Sequence, residues 1–251
     1  MTVFHIPHSS TFIPVEYREK LLLSDQELSL ELLRMTDWHT DDLFSGAVTE
    51  SDTVIKFGYS RLMVDPERFE DKTKETMTKV GIGVIYERTS DQRVLRSAPT
   101  IEERETLLSQ FYRPHHASLE AAVSAELTST GRALIVDCHS FPSKALPYET
   151  DQQTNRPDIC IGTDDFHTPS SISENLKSAF ELLGYSVELN RPFAGTIVPM
   201  AYYRRHPQVY SVMLEINRSL YIDESSGCKL KPSHQNTKVN IASILRSVFI
   251  T

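Results

Sequence analysis

Cysteine is scarce in this chain: Cys138, Cys160 and Cys228 are odd in number and show no CxxC spacing. That argues against a disulfide framework and a cysteine-built zinc site, and fits a reducing compartment. No run of about 18 uninterrupted apolar residues occurs, and "MTVFHIPHSS" lacks a basic segment followed by a long apolar one, so a cytoplasmic protein is expected. Neither HExxH nor HxxE, the short motifs most specific for zinc, is present. Basic patches are missing too: 34 acidic against 26 basic residues give a formal charge of −8, which disfavours nucleic acid and anionic membranes. An anionic small-molecule substrate would therefore need arginines concentrated locally. With no internal repeat, low-complexity tract or dividing linker, residues 1–251 are expected to form a single domain.

What is present is alternation. Short apolar runs rich in β-branched residues recur at "TVFHI" (2–6), "TVIKFGYSRLMV" (53–64), "ALIVDC" (133–138), "DICIG" (158–162), "YSVEL" (185–189) and "VYSVMLEI" (209–216), and read as strands. Between them, helical spacing marks 15–35 in two pieces, 100–131, 168–184 and 237–249. Pro114 predicts a kink or a helix junction, and Pro169 after Thr168 a helix start. The pattern predicts an α/β fold of three layers, with a mostly parallel sheet between helices. The polar stretch 66–100 is a lid candidate, and 146–158 a mobile-loop candidate.

Open α/β sheets bind ligands at the carboxyl ends of their strands, so reactive side chains just past an apolar run are the ones to collect. They are His8, Arg61, Asp65, His139 and Glu215. The run "ALIVDCHSFP" (133–142) ends in such a cluster. Strand alternation turns His139 toward a site and Cys138 to the opposite, packed face. Two imidazoles and a carboxylate make a catalytic zinc site, with a further carboxylate as base.

The ordered blocks "PHSS" (7–10), "DWHTDDLF" (37–44), "SRLMVD" (60–65), "VDCHS" (136–140), "NRPFAGT" (190–196) and "LEINRSLY" (214–221) resemble the N-formylglutamate amidohydrolase family over nearly the whole chain. That family is similar in fold to zinc carboxypeptidases and aspartoacylases, with a mixed sheet between helices. The resemblance implies zinc-dependent hydrolysis of an N-formyl or other N-acyl amino acid such as N-formyl-L-glutamate, giving formate and the free amino acid. A zinc carboxypeptidase-like or other N-acyl amino acid hydrolase is the alternative.

It further implies His8 and His139 as metal ligands and Glu215 as general base. Asp37 is the third ligand, with Asp41 and His39 as competitors. Arg61 would stabilise oxyanion charge and Arg68 hold a substrate carboxylate. Here the chain departs from the family pattern, reading "DPER" where relatives often read "DLNR", so that Glu67 adds a carboxylate beside Arg68. Asn190 and Arg191 either grip substrate or belong to a tight connection built on Gly195. Arg218 either reaches the pocket or forms a structural salt bridge. His115 and His116 resemble a YxPxH element but also suit a cap or surface role, and His167, His206 and His234 are assigned to surface or loops. Two rivals remain: a cysteine hydrolase built on Cys138, and a binding module without catalysis.

Overall fold

Six strands, β1 (Val3–Ile6), β2 (Thr53–Lys56), β3 (Ala133–Phe141), β4 (Ile159–Gly162), β5 (Val187–Leu189) and β6 (Val209–Asn217), form one sheet in the computed structural model, which describes residues 1–249. The spatial order is β2-β1-β3-β6-β4-β5. All neighbours run parallel except β4 against β6. Helices α1 (Val15–Arg18), α2 (Asp25–Met35), α3 (Thr40–Ser45), α4 (Ile101–Leu107), α5 (Arg113–Thr130), α6 (Ser170–Leu182) and α7 (Ser233–Phe249) surround it, with a small hairpin of β7 (Ile222–Asp223) and β8 (Cys228–Lys229). The expected α/β class, mostly parallel with helices on both faces, is what is found.

Strand parity sorts the chemistry. On one face Phe4, Ile6, Val136, Cys138, Val212, Leu214 and Ile216 pack with Phe44, Leu176, Phe180, Ile241 and Leu245 of α3, α6 and α7. Each fully buried side chain of this kind contributes about 1.5–3 kcal/mol, so this face carries much of the stability. On the other, Val3, Ala133, Ile135 and Val209 meet Leu119 and Val123 of α5, but only near the strands' amino ends. Further along the same face come His5, Asp137, His139 and Glu215, all buried. The register aligns His5 with Asp137 and His139 with Glu215. An apolar sheet face thus gives way to a polar one at the carboxyl ends of β1, β3 and β6.

Several expected boundaries change. The strand read as 53–64 stops at Lys56, and β3 continues to Phe141, so His139 lies within the strand rather than after it. At Pro114 the chain makes a widened π-type turn over Leu108–Tyr112, and Pro114 sits in the first turn of α5, where its missing N–H costs no bond. Residues 66–100 are not a free lid: Ile82, Tyr86 and Leu95 are fully buried against Met35 and Leu28 of α2. Nor is 146–158 loose, because Arg156 and Glu149 are buried and paired, with Arg156 also donating to Pro142 O at 2.9 Å. Both stretches are walls. Among the described residues no helix is long and apolar enough to cross a membrane.

Candidate active site

A cavity of about 440 Å³ opens at the polar end of the sheet, lined among others by His8, Asp37, Arg61, Glu67, Arg68, His139, Glu215 and Arg218. His8 follows β1 directly. Asp37 arrives from a distant part of the chain: the capping box of Ser24 and Glu27 starts α2, the helix stops at Thr36, and the backbone N–H of Asp37 donates to His8 O at 3.0 Å. One main-chain bond therefore sets the aspartate beside the histidine.

The Asp37 Oδ2 atom stands 3.6 Å from His8 Nδ1 and 3.1 Å from His139 Nδ1. Each imidazole is tied at its other nitrogen to a buried carboxylate, His8 Nε2 to Asp65 Oδ1 at 2.8 Å and His139 Nε2 to Asp137 Oδ1 at 3.0 Å. With Nε2–H donating, the Nδ1 lone pairs of both rings face Asp37. His8 Nδ1 is buried and has no hydrogen-bond partner. In that tautomer three acceptors converge, and His8, Asp37 and His139 are one of two clusters among the described residues that could hold a metal ion. Four-coordinate zinc with bonds of about 2.0–2.1 Å places neighbouring donors roughly 3.3 Å apart, which the observed 3.1 and 3.6 Å bracket.

Asp37 is held from behind. Arg218 Nη2 donates to its Oδ1 at 2.9 Å and to Ser140 O at 3.1 Å, and the Ser140 N–H reaches Asp37 Oδ2 at 3.2 Å. Burial works against the Asp37 charge, but the contacts of His139 and His8 and the Arg218 charge outweigh it, keeping the carboxyl well below its usual range. Asp65 behaves alike: burial opposes its charge, and Arg61, His8 and Arg68 overcome that.

Glu215 is the opposite case. Desolvation, reinforced by the Asp37 charge and opposed by His139 and Arg218, pushes it up to about 8. Its Oε2 is buried with no hydrogen-bond partner. A carboxyl titrating near neutrality on the strand beside the cluster suits proton transfer.

The arginines divide by how fully they are engaged. Arg61 donates to Tyr86 Oη and Asp65 Oδ2, both at 2.9 Å, while its Nη1 approaches Asp37 Oδ1 at 3.8 Å. Arg218 is taken up by Asp37, Ser140 and, at 2.6 Å, Arg34 O, so it is a support for Asp37 rather than a free substrate contact. Arg68 differs: its buried Nε has no hydrogen-bond partner, and its nearest charge is Asp65 at 3.8 Å. Asn190 and Arg191 are corrected. Asn190 bonds Thr163 through both ends of its amide, and Arg191 binds Asp151, Glu188 and Asn155 O, so neither lines the cavity. The adjoining Pro192 to Thr196 do.

The competitors for third ligand point elsewhere, Asp41 to Lys56 and His39 to Gly227 O. His115 is buried with its Nε2 2.8 Å from His5 Nε2, and His116 Nε2 meets Pro66 O at 2.9 Å on the cavity wall. His167 and His234 are both buried: His167 lies in a loop, as expected, and links Val209 O to the Arg204 N–H, whereas His234 sits in α7 and meets Asp42. The Cys138 thiol is fully buried on the apolar face, its pKa pushed up by burial, which removes the cysteine-hydrolase reading. His5 and Asp137 lie inside apolar runs, so neither stands out as a strand-end residue. Their signal was parity, since Asp137 and His139 two apart on one strand share a face.

Residues 1–222 match the family profile described as N-formylglutamate amidohydrolase. Two curated relatives are similar. The N-formylglutamate deformylase of Pseudomonas putida is 28% identical over 221 residues, covering 85% of this chain and 80% of its own. That of Pseudomonas aeruginosa is 29% identical over 199 residues, covering 76% and 72%. The crystal structure of an N-formylglutamate amidohydrolase from Ralstonia eutropha JMP134 superimposes with a TM-score of 0.82 at 21% identity, over 98% of this chain and 93% of that one, which shows a shared fold.

Proposed function

Because the chain belongs to the N-formylglutamate amidohydrolase family, we propose that it hydrolyses the amide of an N-formyl amino acid such as N-formyl-L-glutamate, with zinc held by His8 Nδ1, His139 Nδ1 and Asp37 Oδ2. The observation that carries this reading is the convergence of those three atoms, one of them buried and partnerless, beside an arginine whose buried Nε has no hydrogen-bond partner and a carboxyl of raised pKa. A zinc ion held there would lower the pKa of a water and polarise a carbonyl.

The chain's own residues do the rest. Arg68, with a free buried N–H, receives the substrate carboxylate and so orients the amide. Glu215 takes a proton from the attacking water at its unpartnered oxygen and returns it to the amide nitrogen as the C–N bond breaks, releasing formate and the amine. Arg61 turns its Nη1 edge toward the cluster, where a guanidinium opposes the negative charge that develops on the carbonyl oxygen. Asp65 and Asp137 fix the tautomers of His8 and His139.

A second reading, hydrolysis of a larger N-acyl amino acid, is favoured by one feature. The cavity walls include Phe69, Met77, Leu146, Tyr148, Phe193 and Met200, an apolar lining broader than a formyl group needs, and Glu67 adds a carboxylate to the same wall. Formate release from a panel of N-formyl amino acids, run beside N-acetyl and longer N-acyl analogues with and without a chelator, tests both. Chelator-sensitive formate release, strongest for acidic amino acids, is expected. Full activity after removal of bound metal contradicts the metal assignment, and turnover confined to longer acyl groups selects the second reading.

A further inference from the structure

We propose a second divalent-cation site beside the first, formed by His5 Nδ1, Asp137 Oδ1 and Glu67 Oε1 and suited to a transition ion of the zinc or manganese class. The three ligand atoms lie within 4.8 Å of one another. His5 Nδ1 is 2.9 Å from Asp137 Oδ1 and 3.1 Å from Glu67 Oε1. Both are shorter than the corresponding 3.1 and 3.6 Å of the His8, Asp37 and His139 cluster, so these ligands would move apart slightly to admit an ion. His5 and Asp137 are fully buried, whereas Glu67 is partly exposed and both carboxylates line the cavity, which gives an ion a way in.

The chemistry asks for a positive charge at this point. Two carboxylate oxygens beside a buried ring nitrogen are costly unless something positive joins them. Glu67 Oε1 is buried and takes no hydrogen bond from any described residue. At the other edge of the ring, His5 Nε2 stands 2.8 Å from His115 Nε2. A proton on His5 Nε2 donated to His115 leaves the His5 Nδ1 lone pair facing both carboxylates, the arrangement of a metal ligand.

Asp137 connects the two sites. Its Oδ1 also accepts from His139 Nε2 at 3.0 Å, and a carboxylate oxygen has lone pairs for both tasks. His139 Nε2 is 3.8 Å from Glu67 Oε1, so the second ion would sit behind the ring that binds the first. Its position differs from that of a water-activating ion: it would anchor Asp137 and, through Asp137, the orientation of His139. One imidazole with two carboxylates is also a harder donor set than two imidazoles with one, which admits manganese more readily than the first site does. The site stands on its own geometry and does not depend on which amide is cleaved.

The alternative is a proton on His5 Nδ1 shared between the carboxylates, and metal stoichiometry separates the two. Purified protein is loaded with excess Zn2+, and in a parallel arm with Mn2+, passed through a desalting column and analysed for metal per chain. Wild type is expected to hold two equivalents of zinc, Glu67→Gln one, Asp37→Asn one, and the double variant none. Glu67→Gln is close to isosteric at a partly exposed position, and the wild-type count needs no variant. One equivalent in wild type that disappears in Asp37→Asn overturns the proposal, as does Glu67→Gln retaining two or wild type holding none. One equivalent that survives Asp37→Asn but not Glu67→Gln supports this site while removing the ion from the first.

Discussion

Asp37 and Asp42 lie five residues apart in "DWHTDDLF" and meet opposite surroundings. Asp42 faces two cations and an imidazole: Lys229, Lys238 and His234 converge on it. Those contacts, lysines first, hold its carboxyl well below the usual range. Asp37 has one cation directly bonded to it, Arg218 at 2.9 Å through Oδ1, while its Oδ2 faces two ring nitrogens. The charge of Asp42 is answered inside the protein, and the inward side of Asp37 is left open to an ion. Ion pairs that close on themselves hold a fold together, whereas donor sets left open mark where a ligand belongs.

The sharpest break of that comparison is Asp37→Asn. Removing one of the three proposed ligands should cut zinc affinity and turnover by roughly three orders of magnitude or more, measured by metal content and formate release, since even outer partners of such ligands are worth about 10–100-fold. Near-normal metal content would show that the open oxygen is not a ligand.

Next comes Glu215→Gln, which should retain zinc and lower kcat by about 10²–10⁴-fold. The same variant has a stability signature. Burial pushes the Glu215 carboxyl up to about 8 in the fold from its ordinary value of 4.5. Between those values the unfolded chain has lost a proton that the metal-free fold still holds, so raising the pH destabilises the fold. Denaturant midpoints of the metal-free protein should therefore fall from about pH 4.5 to about pH 8 more steeply for wild type than for Glu215→Gln. Parallel curves would place the carboxyl in an ordinary environment.

Arg68→Gln should raise KM for carboxylate-bearing substrates by about 10–100-fold while changing kcat less, because a contact made equally in ground and transition states affects binding alone. An unchanged KM would return Arg68 to a structural role beside Asp65. The smallest effect belongs to Asp42→Asn, at about 1 kcal/mol of stability or less. The Asp42 side chain is 36% exposed, and solvent screens its two lysines. Metal content and turnover should not move, and a loss of zinc in this variant would erase the distinction between the two aspartates.

Much of this was legible in the sequence. Alternating β-branched runs and helical spacing described the α/β class because each signal is local. His8, Asp37, Arg61, Arg68, His139 and Glu215 were collected as residues near strand ends or within ordered motifs, and all line one cavity. Arg191 was not legible: an arginine after a strand looks free until the fold brings Asp151 and Glu188 to it. The polar stretch 66–100 resembled a lid because its anchors, Ile82, Tyr86 and Leu95, are sparse along the chain yet meet α2 in space. His5 was hidden by its neighbours, Phe4 and Ile6, which mark an apolar strand. Only pairing β1 with β3 puts it beside Asp137.

The most direct measurement is anomalous diffraction at the zinc edge from crystals of zinc-loaded protein. Zinc ligation at this cluster predicts a peak within bonding distance of His8 Nδ1, His139 Nδ1 and Asp37 Oδ2. A well-ordered cavity with no peak there, and zinc bound only elsewhere on the protein, would contradict it.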